Sequence, residues 1–449
     1  MDKNTLSIPV ATSVALGAII GAGIFVLSGT AIALAGSYSL LAFVVVGIIA
    51  LFMALQMGEM GSIFPHAKGA AYSYAYEAFG SQLGFITGLL LYTSFATAVS
   101  AVSLGFGSYL ATFLGLGAAY QVPFALALIL VLSIVNIIGI KKAAKADFFI
   151  VIIKISILFF FIVIIKISIL FFFILFAAIF ALSVSHTNVL SNFSSPPSDF
   201  GGIFAASVVI FFAYTGFQSI STFTSRVKGG ARGAAKAIVY AVIISIILYS
   251  LVDVALMMLA PATAYRINAD PLSFALGYAH APGWVSIIVD IGAMLATTSA
   301  TLAMILTSSR SIYQISVDRL LPKGFRRYNK KSDVAVNGVI ITAAISAAML
   351  FSGNIYVIAS ISNFGLIFSY IITSFAIIHY RRAGAKASFL SPWYPYMEVV
   401  TIVGLIALLI GMPRQSLLIG AMMIFILIIA YYFILEVKGK KPARIKLFK

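Results

Sequence analysis

The chain has 449 residues, of which 62% are hydrophobic and 9% charged, with a formal net charge of +17 and no cysteine. So few polar groups cannot cover a water-soluble fold of this size, and the composition specifies an integral membrane protein. Without cysteine there are no disulfides, zinc-thiolate sites, iron–sulfur clusters or thiol catalysis, and four scattered histidines argue against a His-rich metal site.

A spanning helix needs about 20 mostly apolar residues to cross a hydrocarbon layer about 30 Å thick. In chain order such runs fall near 9–34, 38–64, 82–108, 121–140, 148–183, 200–224, 234–260, 284–310, 335–352, 355–379, 396–412 and 415–436. They predict an all-α membrane protein with twelve transmembrane helices, because the short alternating segments of a membrane β-barrel are missing. The first run follows a single Lys3 and has no small-residue cleavage site, so it reads as a span and not as a removed signal peptide.

Span 1 contains Gly17-Ala18-Ile19-Ile20-Gly21-Ala22-Gly23-Ile24-Phe25. Glycines at 21 and 23 weaken the helix in mid-membrane and bare its backbone, which is tolerated only where it lines a cavity or is buried in protein. A break there would offer free N–H groups and a positive helix end to an anionic group. Gly17 and Gly21 also form a GxxxG pair, so a small-residue packing face is the alternative.

Span 5 carries a tandem repeat: residues 148–159 and 160–171 both read FFIVIIKISILF. Either the gene holds a short duplication or the sequence holds an assembly error. A helix over 148–183 would be about 54 Å long, so one copy must tilt, protrude or break. Twelve residues turn a helix by about 120°, so Lys154 and Lys166 cannot share a face.

Span 6 supplies a second interruption, in Phe211-Phe212-Ala213-Tyr214-Thr215-Gly216-Phe217-Gln218. A glycine-interrupted span opening each half of the chain points to the binding site of an inverted-repeat transporter. The spans then divide as five, five and two: one transmembrane domain over 1–440, with repeats at about 9–183 and 200–379, extra helices at about 396–436, and a basic tail at 437–449. Asp253 and Asp290 fall late in span 7 and early in span 8, in the outer third of the membrane. They read as attractors of cationic substrate, as proton relays, or as hydrated vestibule residues. Glu59, at the inner end of span 2, reads as the structural partner of an inner-loop base.

With the N-terminus inside, 25 of the 29 basic residues fall on inner segments, and the outer loops hold Arg266 and Arg414. Both termini are therefore expected in the cytoplasm. The basic tail reads as a topology anchor attracted to anionic lipid, not as a nucleic-acid site. The two bases left over are Lys154 and Lys166.

At several separate places the residues resemble the amino acid–polyamine–organocation (APC) permeases, which share the LeuT-like fold. GAIIGAGIF is similar to their first-helix signature, and FFAYTGF to the sixth-helix motif. The loop from Phe64 to Tyr74 (FPHAKGAAYSY) looks like their F-P-x-x-G-G-x-Y-x-Y, and Arg310 with Asp318-Arg319-Leu320-Leu321-Pro322-Lys323 like the loop after span 8. The resemblance implies a LeuT-like 5+5 inverted repeat plus two helices, with an occluded site near mid-membrane.

In such a site the backbone around Ile20, Gly21, Ala22 and Gly23 would hold the substrate carboxylate. Carbonyls near Ala213, Tyr214, Thr215 and Gly216 would meet its amino group, and Phe212 would gate it. A span 5 lysine, Lys154 or alternatively Lys166, would stand where sodium-coupled relatives bind the ion. There it would lie between span 1 carbonyls and span 8 hydroxyls, with Thr297, Thr298 and Ser299 the candidates. Counting forward from Gly139-Ile140-Lys141 selects Lys154, and counting back from the end of span 5 selects Lys166. Three departures stand out: Ala22 replaces a frequent serine, Gln218 a frequent acid, and Ser225–Gly230 an acidic run.

The expected function is a secondary active amino acid transporter of the cell membrane, working by alternating access with protons and without sodium. The alternative is an exchanger of cationic amino acids or polyamines. A nontransporting receptor or channel is a further class. No enzymatic motif is present, and no cofactor or metal is expected. The expected partners are an amino acid, protons and the lipid bilayer, with no nucleic acid; the sequence does not set the oligomeric state.

Overall fold

A computed structural model describes residues 6–64, 71–138, 148–183, 191–193, 200–216, 227–329 and 334–437, with backbone alone over 148–164. The loop residues 65–70, the start of the span 4–5 connection, Gln218, Ser225 and Arg226, and the tail from 438 lie outside the described residues.

The apolar runs become helices close to their expected bounds. Span 1 is two helices, α1 (Ile8–Ile19) and α2 (Gly23–Ala35), followed by α3 (Ser39–Ile63). A short helix, α4 (Ala71–Phe79), precedes α5 (Ser81–Phe113), α6 (Gln121–Ile138) and α7 (Phe148–Ser183). The second half opens with α8 (Phe200–Tyr214) and α9 (Gly230–Leu259), then a short outer helix α10 (Pro271–Tyr278) and α11 (Gly283–Val317). A two-stranded hairpin, Tyr328–Asn329 with Val334–Ala335, leads into α12 (Val336–Leu350) and α13 (Ile355–Arg382). The last two spans are α14 (Tyr396–Ile410) and α15 (Arg414–Val437). The short helices α4 and α10 go beyond the twelve spans, since neither is long enough to register as a membrane crossing.

Eight described stretches are long and apolar enough to cross a membrane unaided. The shorter apolar helices include α1 and α8, each of which stops in mid-span at a glycine interruption. The repeated segment of span 5 does not break: α7 runs for 36 residues as one helix. At about 1.5 Å per residue it exceeds the hydrocarbon thickness, so its extra length is taken up by tilt or protrusion.

Positional equivalents of the two halves pack extensively on each other, α2 with α8, α3 with α9, and α5 with α11, and α5 packs as extensively on α13. Helix α7 closes against α1, α9 and α11, while α13 bridges α3, α5 and α8. α5 is the central post, buried along most of its 33 residues. The lipid-exposed sides of α6, α14 and α15 carry Leu130, Val131, Ile406, Ile410, Phe425 and Phe433, all exposed. In water such a belt would aggregate; against acyl chains it is the stable arrangement.

Candidate functional site

Both expected interruptions are real, and they meet. Ile20 leaves the helical region at ψ 69°, and the Gly21 amide folds back onto the Ile19 carbonyl at 2.6 Å. α2 restarts at Gly23 behind Ala22, whose methyl group cannot cap the first N–H groups. In α8 the Thr215 amide (3.2 Å) and hydroxyl (2.7 Å) both turn back to the Phe212 carbonyl, and Gly216 follows at φ 123°. An added Cβ on Gly216 would collide with the Ala18 carbonyl oxygen, and one on Gly23 would lie 2.5 Å from the Ala213 Cα. Only glycine allows the two chains this close an approach.

The structure thus brings all nine expected substrate-site residues to one place, from Ile20 to Gly23 and from Phe212 to Gly216. Ile20, Ala22, Gly23, Phe212, Ala213 and Tyr214 are buried, while Gly21, Thr215 and Gly216 are half-buried. On the far side α2 is sealed from Gly23 through Ile32, and the Tyr109 hydroxyl donates to the Phe25 carbonyl. The Tyr214 hydroxyl donates to the Phe43 carbonyl of α3 at 3.0 Å.

One residue that the sequence did not single out sits at the junction. The Tyr249 hydroxyl, from α9, lies 2.9 Å from the Ile19 carbonyl and 3.1 Å from that of Ala213. The available signal was a phenol in the middle of an apolar span, which must find a partner once buried. Which partner it finds depends on a chain separation of 230 residues to Ile19.

The span 5 lysines separate along the bundle. Lys166 is 4% exposed, whereas the side chain of Lys154 lies outside the described residues. Levels follow from packing. Ser103 faces Thr301 at 3.5 Å, Gly105 packs on Val26, and Ile169 fills the space over Gly292. With about 1.5 Å of rise per residue, the break at 20–22 lies about 15 Å from the level of Lys166. Lys154 is about 18 Å from Lys166 along α7 in the same direction, which brings its backbone to the level of the break. Lys166 is nearer in height to Thr297, Thr298 and Ser299. The Thr297 and Ser299 hydroxyls donate to carbonyls of their own helix, at Ala293 (2.8 Å) and Ala296 (2.9 Å).

The outer aspartates are not hydrated vestibule groups. Asp253 is 0% exposed and accepts from the Ser39 hydroxyl at 2.9 Å; Asp290 is 3% exposed and accepts from the Ser273 hydroxyl. Ser273 of α10 covers Asp290, and Ser39 at the start of α3 covers Asp253, contacts that spacing along a helix does not reveal.

At the opposite end Glu59 is fully buried and accepts from both Nε (2.7 Å) and Nη2 (2.6 Å) of Arg381, as expected of a structural acid with an inner base. The Ser391 amide adds a third donor at 2.8 Å, and its hydroxyl lies between Glu59 and Glu398. Nearby, Tyr72 of the loop helix α4 donates to Asp318 at 2.6 Å. Burial pushes that phenol well above its ordinary range, and the adjacent Asp318 carboxylate pushes it further. Tyr72 therefore stays a neutral donor across the physiological range in the contact that ties α4 to the end of α11.

Residues 6–433 match the family model described as amino acid permease. A branched-chain amino acid permease of Bacillus subtilis is 29% identical over 390 residues, spanning 83% of this chain and 79% of that protein. A methylthioribose transporter of the same organism is 27% identical, over 89% of this chain and 86% of its own. The mitochondrial cationic amino acid transporter 3 of Arabidopsis thaliana is 27% identical, over 84% and 62%. Among solved structures, a manganese-transporter variant from Eremococcus coleocola superposes with a TM-score of 0.55 at 13% identity, covering 96% of this chain and 94% of that one. That likeness concerns the fold: an all-α, LeuT-like membrane transporter.

Proposed function

Since the chain belongs to the amino acid permease family, we propose that it carries neutral amino acids across the membrane by alternating access, driven by protons without sodium. The observation that carries this reading is the meeting of two broken helices at a buried junction, where α2 starts without a side-chain cap and Gly23 approaches Ala213. A carboxylate suits the uncapped helix start and an ammonium the carbonyls beside the breaks. None of the described residues at the junction is charged, and both outer aspartates are engaged by serines, which favours neutral over cationic substrates. The branched-chain permease among the relatives points the same way.

Proton coupling is assigned to the α7 lysine. Its ammonium would take the place of a bound cation, and releasing its proton would alter the balance between inward- and outward-open forms. Lys154 is favoured because its backbone is level with the break, while Lys166 lies nearer in height to the span 8 hydroxyls. Purified protein in liposomes is expected to accumulate labelled leucine when the outside is more acidic, with no change on replacing sodium by choline. Arginine in excess should compete poorly. Lys154→Ala should abolish the proton-driven component, and Lys166→Ala should largely spare it; the reverse result moves the site to the second copy. No uptake of any amino acid would sink the reading.

Both termini are placed in the cytoplasm on the strength of the basic-residue asymmetry. The absence of native cysteine makes this simple to check. In intact cells an impermeant maleimide is expected to label Arg266→Cys and to spare Lys386→Cys; the opposite pattern would invert the topology.

A further inference from the structure

The two interruptions fall beside two carbonyls, those of Ile19 and Ala213. In an unbroken helix Ile19 would accept from the amide four residues on, but that residue, Gly23, begins α2. α8 ends at Tyr214, one residue past Ala213, and the position four residues on from Ala213 lies outside the described residues. Both oxygens converge on the hydroxyl of Tyr249, at 2.9 and 3.1 Å. This phenol is 0% exposed and packed against the rings of Tyr214 (centroids 5.1 Å apart) and Phe43 (6.3 Å). Its oxygen has little freedom to choose another partner.

A phenol has one hydrogen, and here it faces two acceptors. The Ile19 carbonyl also receives the Gly21 amide, and the Ala213 carbonyl shares the Tyr249 hydrogen with it. A carbonyl oxygen carries two lone pairs, and in a desolvated site an N–H donor brought to the Ala213 carbonyl is worth most. An ammonium group brings three such donors, and an ammonium that takes Ala213 releases the phenol's hydrogen to Ile19.

We propose that Tyr249 is the positioning residue of this site: its hydroxyl clamps the broken ends of α1 and α8 together and keeps the Ala213 carbonyl aimed at the substrate's α-ammonium. The inference rests on the amino acid transport reading and extends it to a residue on a third helix. Because Tyr249 acts through Ala213, its removal misaligns the ammonium contact and leaves the carboxylate end of the site in place.

The test is Tyr249→Phe, which removes one oxygen atom, with Tyr265→Phe as control. Tyr265 is also a buried phenol, donating to the Leu256 carbonyl at 2.6 Å on the same helix α9. In liposomes Tyr249→Phe is expected to raise the KM for leucine at least ten-fold with Vmax within about three-fold, whereas Tyr265→Phe leaves KM within about two-fold. A merely structural hydroxyl would lower thermal stability in both variants and leave KM alone, and that outcome overturns the proposal. If Tyr249→Phe does not fold, Tyr249→His is read by the same KM criterion, with an unchanged KM again overturning it. Absence of leucine uptake by the unmodified protein would strike the transport reading; normal uptake with an unshifted KM in the variant strikes the Tyr249 assignment alone.

Discussion

Replacing Arg381 by methionine is expected to cost about 3–5 kcal/mol of stability, seen as a fall of several degrees in the melting temperature of the detergent-solubilised protein. Methionine keeps the packing of the arginine's aliphatic stem and removes its guanidinium, which also stacks 4.5 Å over the Tyr394 ring. What is lost is the guanidinium that neutralises Glu59, a carboxylate with no exposed surface that takes two of its hydrogen bonds from Arg381. An intact buried pair contributes modestly, because desolvating both charges offsets most of their attraction; an orphaned buried charge is the expensive state. Adding Glu59→Gln to Arg381→Met should therefore recover much of the loss, a strongly non-additive pair. If the double variant is no more stable than the single one, the ion pair is not what the guanidinium contributes. The network also spans α3, α13 and the segment before α14, so the single variant should loosen that inner corner.

Gly23→Ala is the second large effect. The added methyl would stand 2.5 Å from the Ala213 Cα and 2.9 Å from its Cβ. Overpacking a tight contact costs about 1–3 kcal/mol, and here the cost falls on the separation of the two broken helices. Leucine uptake in liposomes is expected to drop at least ten-fold. Adding Ala213→Gly should restore little of it, since the tighter clash is with the main chain. Gly117→Ala, in an outer loop with nothing within 4 Å, serves as the matched control and should leave uptake unchanged. Normal uptake by Gly23→Ala would mean that the close approach of α2 to α8 is dispensable for transport.

Much of the architecture was legible because the bilayer imposes a length. Runs of about 20 apolar residues have one low-energy solution in hydrocarbon, a helix with its backbone satisfied internally, so all twelve spans could be counted. The two interruptions were legible for the same reason in reverse: Gly21 and Gly23, and later Gly216, weaken a helix where lipid offers no replacement for lost hydrogen bonds. Glu59 could be read as a structural acid because a charge at a span end needs a counter-charge nearby.

The sequence by itself therefore determined the class, the number of spans, the places where span 1 and span 6 break, and the family resemblance carried by the residues around them. Tertiary structure decided which groups face those breaks. That Tyr249 serves both carbonyls beside the breaks, that Arg381 is the base paired with Glu59, and that Asp253 and Asp290 are withdrawn from water each depend on contacts between segments far apart in the chain. Hydropathy is a local quantity set by a solvent of fixed thickness, so it can be read along the chain. A hydrogen-bond partner across helices is set by rotation and height in the bundle, which emerge only when all the small-residue contacts close together.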